Sequence, residues 1–92
     1  MILVIWDLED DPRGNVRHIG EHGVTPEEVE EVLNDGHART TCSASSDRPI
    51  TFGWTTAGRY LAVVWEVADE EPLTVYPITA YPVSEPGRES CL

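Results

Sequence analysis

Residues 21–33 read EHGVTPEEVEEVL, a stretch that closes one helix and opens another within two residues. Gly23 suits the left-handed backbone position just past a helix end, where a β-carbon would clash. Thr25 is a good N-cap, Pro26 fits the first helical position, and Glu28 completes a Thr-x-x-Glu capping box. Val24 and Val29 stand where a hydrophobic staple joins the N′ and N4 positions. These signals agree on a tight helix–turn–helix corner, with the second helix running from Pro26 to about Asn34. Val29, Val32 and Leu33 form its apolar stripe, while Glu27, Glu28, Glu30 and Glu31 read as a solvated face.

Upstream of the corner, residues 2–6 are an apolar run that reads as a buried first strand. Asp11 and Pro12 supply an N-cap and a first helical position. They predict a first helix to about His22, with Val16 and Ile19 inward and Arg13, Arg17 and Glu21 outward. Downstream the period changes to that of strands. ARTTC (38–42) leads into a polar loop, SASSDRP (43–49), and then into ITFGWTT (50–56). A turn on Ala57–Gly58 precedes RYLAVVWEV (59–67), and a turn on ADEEP (68–72) precedes LTVYPITAY (73–81). Leu61 to Trp65 is apolar on both faces, as in a central strand. Two hairpin-length connections in succession make an antiparallel meander. The expected fold is α+β in the order β-α-α-β-β-β, with two N-terminal helices on one face of a four-stranded, mainly antiparallel sheet. It occupies a single domain over residues 1–83, followed by a flexible tail over 84–92.

The charge balance limits the partners. Seventeen acids stand against six arginines and no lysine, a net charge of −11 in 92 residues. Such a chain repels phosphate backbones at long range, so the isolated protein is expected to bind duplex DNA or RNA only weakly, and any nucleic-acid role needs a local cluster of its few arginines. Cys42 and Cys91 lie far apart without a CxxC partner and read as two reduced thiols, with a mutual disulfide as the alternative. The opening MILVIW has no basic flank and meets Asp7 at once, too short for a signal peptide or a membrane span. A cytoplasmic location with no membrane partner is the expectation.

With the elements placed, a family likeness emerges. IWD at 5–7, Asn15, HGV at 22–24 followed by PEEVEEVL, GRYLAVVWE at 58–66 and ITAY at 78–81 resemble the BrnT-type toxins of the wider RelE/ParE toxin superfamily. The resemblance spans roughly residues 2–82, with its landmarks in order. It implies a RelE-like α+β fold and a type II toxin that cleaves RNA without a metal or cofactor. It also implies a partner, a small DNA-binding antitoxin encoded beside it. Cleavage of that kind uses the ribose 2′-hydroxyl as nucleophile and needs proton-transfer groups together with cations for the developing charge. Arg59 falls on the family's Gly-Arg strand start and His22 on the histidine of its helix corner. The sequence departs from the pattern elsewhere. Glu21 replaces a lysine, Tyr81 an arginine, acids stand at Glu9, Asp10 and Asp11, and PVSEPGRESCL (82–92) replaces a basic segment. The implied catalytic set is therefore Arg59, His22 and Tyr81, a cation-depleted site. The alternative is a catalytically silent protein-interaction module of the same fold.

Each candidate has a plainer role beside the functional one. His22 suits general acid–base work or a helix C-terminus, whose dipole favours it. His18 and His22 are spaced i, i+4, but no third ligand has matching spacing, so no metal is expected. Arg59 can bind a phosphate or pair with an acid. Arg39 and Arg48 flank the 41–47 loop as RNA-binding candidates or solvated surface. Trp54 is a stacking platform for a base, or, like Trp6 and Trp65, part of a core or interface.

Overall fold

A computed structural model describes residues 2–42 and 47–84. The fold is α+β, with strands β1 (Leu3–Val4), β2 (Arg39–Cys42), β3 (Pro49–Trp54), β4 (Tyr60–Glu70) and β5 (Leu73–Pro82), and helices α1 (Asn15–Gly20) and α2 (Pro26–Leu33). The sheet has five strands in the order β1-β5-β4-β3-β2, not the four expected. The ARTTC segment accounts for the fifth by pairing antiparallel with β3 through Arg39↔Phe52 and Thr40↔Thr51. All pairings are antiparallel except β1–β5, which is parallel through Leu3↔Thr74 and Val4↔Val75. The expected location of the central strand holds, since β4 lies in the middle and its Leu61, Ala62 and Val63 are fully buried.

Period-two alternation decides which face the helices cover. On β3, Thr51 and Gly53 are buried, while Ile50 and Phe52 are half-buried and Trp54 is exposed. Ile19 of α1, Val29, Val32 and Leu33 of α2, and the corner residue Val24 share one core cluster with Leu61, Val63, Val75 and Ala80 of the sheet. Gly53 lets α2 come close, because a β-carbon there would lie 3.1 Å from Val32 Cγ1 and 3.2 Å from Ala38 Cβ. Truncating a fully buried aliphatic such as Val29 or Ile19 leaves a cavity and costs about 2–4 kcal/mol.

The α1–α2 corner forms as its chemistry dictates. Gly23 has φ +76°, in the left-handed region that a side chain disfavours. Thr25 Oγ1 accepts from the Glu28 N–H at 3.2 Å, and Glu28 Oε1 accepts from the Thr25 N–H at 3.1 Å, so the capping box is complete. Val24 and Val29, the staple pair, are both buried in the core cluster.

Two expectations upstream need correction. The first strand is only two residues long and forms an edge rather than a buried strand, with Leu3 45% and Ile5 40% exposed. Ile2, Val4 and Trp6 pack on the core while the residues between them face out, as an edge strand covered on one side demands. The first helix begins at Asn15, not after Asp11. Asp11 folds its carboxylate onto the Arg13 N–H at 2.9 Å, and successive turns close on Leu8 and Asp11 carbonyls. Asp7 instead meets the helix N-terminus, accepting the Asn15 N–H at 2.9 Å. At the far end α1 stops at Gly20, so His18 lies in its last turn and His22 lies beyond it.

The ADEEP turn is also shorter than expected. β4 continues through Glu70, and the hairpin turns on Glu71–Pro72 alone. The expected tail over 84–92 and Cys91 fall outside the described residues from position 85 onward, as do residues 43–46 of the polar loop. Cys42 is a free, exposed thiol. Among the described residues no helix is long and apolar enough to cross a membrane.

Candidate functional site

The three catalytic candidates converge at one end of the molecule. Arg59 precedes β4, Tyr81 lies near the end of β5, and the α1–α2 corner carries His22 to the same place. The His22 and Tyr81 rings meet edge to face with centroids 6.1 Å apart, and the His18 ring stands 5.5 Å from His22. Arg59 Nη1 donates to Gly23 O, the carbonyl next to His22, at 2.9 Å. The segments HGV, GRYL and ITAY thus belong to one corner in space.

That corner does not hold a free cation at Arg59. The same Nη1 donates to both Glu28 carboxylate oxygens, each at 3.1 Å. Glu28 is the capping-box acid, so one carboxylate closes the α2 N-terminus and neutralises the guanidinium. Arg59 N also donates to Thr55 Oγ1 at 3.1 Å, and Thr55 N to Arg59 O at 2.8 Å. The pairing alternative set out for Arg59 is the one realised, with Glu28 as its partner.

The RNA-binding candidates are spread out. Cross-strand partners place Tyr81, Ala62, Phe52 and Arg39 in one row over β5, β4, β3 and β2. Three strand spacings separate the ends of this row, so Arg39 starts about 14 Å from Tyr81. Arg48 makes a 3.7 Å pair with Glu66, both side chains about half exposed, a contact that contributes little. Trp54, 44% exposed, tilts against Tyr60 with ring centroids 4.9 Å apart, and Phe52 stacks with Tyr60 at 6.3 Å. These rings belong to the sheet face opposite the helices, which also carries the pairs Ile50↔Val64 and Phe52↔Ala62.

A polar knot on the β5 side was not assigned a role from sequence. Asn15, 3% exposed, donates through Nδ2 to Ile5 O and Pro77 O, each at 3.1 Å, and accepts the Asp7 N–H at 2.9 Å. The Tyr76 hydroxyl donates to Asp7 Oδ2 at 2.5 Å. This bond and the Asn15 N–H hold the Asp7 carboxyl below its usual range, with burial opposing them. The same bond, with burial and nearby acids, pushes the Tyr76 phenol up to about 12. The signal for the knot was available, since IWD and Asn15 stand out as landmarks, but the partner Tyr76 lies 69 residues from Asp7.

The helix-two acids are also more engaged than a solvated face implies. Glu30 accepts from Trp6 Nε1 at 2.8 Å, and Glu31 accepts from the Thr56 N–H and hydroxyl at 3.0 and 3.1 Å. Among the described residues, no group of three or more His, Cys, Asp or Glu side chains is placed to hold a metal ion.

Chemically, the corner offers an imidazole and a phenol able to move protons, beside a guanidinium whose charge is already balanced. Comparison with family models, curated proteins and solved structures found no match to this chain.

Proposed function

We propose that the chain is a toxin-like protein of a type II toxin–antitoxin pair that keeps a RelE-like, BrnT-type frame and works through protein contact rather than RNA cleavage. The observation that carries this reading is the engagement of Arg59 with Glu28 and Gly23. Cleavage of RNA builds charge on a phosphate, and a preorganised cation is worth about 100-fold or more in rate. Arg59 already commits Nη1 to Gly23 O and to both Glu28 carboxylate oxygens, so a phosphate would have to compete with a carboxylate for this cation. The open face with Phe52, Trp54 and Tyr60 offers instead the aromatic, half-exposed surface that protein interfaces favour. The partner in this reading is a small DNA-binding antitoxin, and its binding surface is this face.

The convergence of His22 and Tyr81 favours a second reading, a slow, metal-independent endoribonuclease acting through 2′-hydroxyl attack. Controlled expression of wild type, Arg59→Ala and His22→Ala in a bacterial host, following growth and messenger-RNA decay, separates the two. The interaction reading expects no arrest and unchanged decay in all three. Strong arrest by wild type that His22→Ala relieves would establish the ribonuclease. On the binding side, the protein from the adjacent reading frame should co-purify with wild type and be lost with Phe52→Ser.

A further inference from the structure

At the end of the sheet away from the β4–β5 hairpin lies an open depression of about 610 Å³, lined by Glu31, Asn34 and Asp35 of the α2 C-terminus, Trp54 of β3, and Thr55 and Thr56 of the β3–β4 turn, with His37 at its side. We propose that this depression binds the guanidinium of an arginine side chain presented by a partner protein. Three independent features make it a cation site. Two carboxylates line it, and Glu31 is fixed in place by its two hydrogen bonds from Thr56. The α2 C-terminus, the negative end of the helix dipole, opens there, and no basic residue lies in the last turn to balance it. An indole forms part of the wall, 44% exposed and braced by Tyr60, and an aromatic face attracts cations.

Acids at a helix C-terminus oppose the dipole and destabilise the isolated helix. Nothing within the last turn compensates for Glu31, and Asp35 follows the Asn34 C-cap directly. An arriving cation would relieve this arrangement. A flat guanidinium fits it better than an ammonium, because it stacks on an indole and still donates edge-on to a carboxylate. A bare metal ion fits poorly, since the described residues offer no group of three or more His, Cys, Asp or Glu side chains placed to hold one. The net charge of −11 steers basic partners toward the protein in general, and the depression gives that attraction a specific address.

The inference rests on the interaction reading only for the source of the cation. Trp54 borders both surfaces, so the isolated protein, with its sheet face uncovered, is the form that tests the pocket on its own. The probe is a capped Gly-Ser-Arg-Ser-Gly peptide titrated into the full-length ¹⁵N-labelled protein, followed by the Trp54 indole N–H, which Trp54→Phe identifies. Its citrulline counterpart has the same shape without the charge. Binding of the arginine peptide should move the Trp54 signal, and the citrulline peptide should not. Glu31→Gln with Asp35→Asn should weaken binding about tenfold. Asp35→Asn alone, which leaves the Glu31–Thr56 clasp intact, should weaken it about threefold. Glu70→Gln with Glu71→Gln removes the same two charges from the far hairpin, about 30 Å along β4, and should change binding less than twofold.

Equal binding of the citrulline peptide, no weakening by either pocket variant, or equal weakening by the hairpin variant would each overturn the proposal. So would the absence of any Trp54 shift. Phe52→Ser lies on the sheet face and outside the depression, so it should leave peptide binding unchanged. Loss of the antitoxin-type partner in Phe52→Ser alone therefore reports on the sheet face, and loss of peptide binding in Asp35→Asn alone reports on the depression.

Discussion

The two faces of the sheet contrast in chemistry. The helix-covered face is aliphatic and closed, with Ile19, Val29, Val32, Leu61, Val63 and Val75 fully buried. Its polar groups are matched one to one. Asn15 uses Nδ2 on two carbonyls and Oδ1 on an N–H, and among the described residues no buried side-chain nitrogen or oxygen lacks a hydrogen-bond partner. The open face is aromatic and only half covered, with Phe52, Tyr60 and Trp54 ranged across β3 and β4. Closed, satisfied packing maintains a shape, whereas a cluster of partly exposed rings offers area that a partner can cover. Arg59 belongs with the first region despite being charged, because its hydrogen bonds all serve the corner. Function should therefore respond to changes on the open face, and stability to changes on the closed one.

The largest expected effect tests the closed side. Asn15→Ala leaves two carbonyls and one N–H without their partner in a nearly dry site, at a cost of about 3 kcal/mol. Urea unfolding of the purified protein measures it. Asn15→Asp should be no better, since it removes both donors and adds a charge next to Asp7. A loss under 1 kcal/mol for Asn15→Ala would mean that water or a rearranged loop replaces the amide readily.

Next in size is Arg59→Ala, expected to destabilise by about 1–2 kcal/mol. Hydrogen bonds to charged groups contribute about 1.5–3 kcal/mol, and partial exposure of the Arg59 side chain, 37%, reduces that figure. If Arg59→Ala abolished an RNA-cleaving activity and left the unfolding midpoint unmoved, the arginine would belong to the functional side of the comparison after all.

Thr25→Ala follows, at about 1 kcal/mol for loss of the N-cap. Because Glu28 is shared between the cap and Arg59, the effects of Thr25→Ala and Arg59→Ala should not add. A double-mutant cycle should give a coupling of at least about 0.5 kcal/mol, and strict additivity would show that the two roles of Glu28 are separate.

These expectations also mark what could be read before any coordinates. The corner was legible because helix capping is local. Gly23, Thr25, Pro26 and Glu28 lie within six positions and each bears a known backbone preference. The strands of the meander were legible through period two, and ITFGW already carries the alternation that puts Ile50, Phe52 and Trp54 on one face. The fifth strand and the parallel β1–β5 pair were not, because pairing partners are chosen by the whole sheet, and a four-residue segment such as RTTC carries little pattern of its own. The start of α1 was misplaced since Asp11–Pro12 offers a good cap locally, while the acid that meets the helix, Asp7, is brought there by the chain's return from β1. The same limit hid the fate of Arg59. An arginine among seventeen acids finds a partner, but that the partner is the capping-box glutamate depends on β4 passing beneath the corner. That Arg59, His22 and Tyr81 come to one corner, while Arg39 stands at the far end of a row across four strands, depends on the tertiary arrangement and the strand register, which no local pattern carries.

The smallest effect concerns the boundary between the two regions, where Tyr76 reaches Asp7. The phenol is pushed up from 10.0 to about 12 by its hydrogen bond to the carboxylate, with burial and nearby acids adding to the shift. In the unfolded chain the phenol ionises near its ordinary value of about 10, so unfolding releases a proton between about pH 10 and 12. The stability contributed by this bond is therefore fully present below about pH 10 and is lost as pH rises toward about 12. Asp7 has the opposite sign: its carboxyl is held low, chiefly by Tyr76, so its contribution is present above the ordinary carboxylate value and is lost as pH falls through the depressed one. Tyr76→Phe removes both dependences together, since one hydrogen bond causes the main part of each. Urea midpoints of wild type and Tyr76→Phe, measured at pH 3, 7, 10 and 12, should differ most near neutrality and converge toward pH 12, with the gap starting to narrow only below the ordinary carboxylate range. If instead the Tyr76→Phe and wild-type curves stayed parallel from pH 7 to 12, the hydroxyl would not be holding Asp7, and the knot would rest on Asn15 alone.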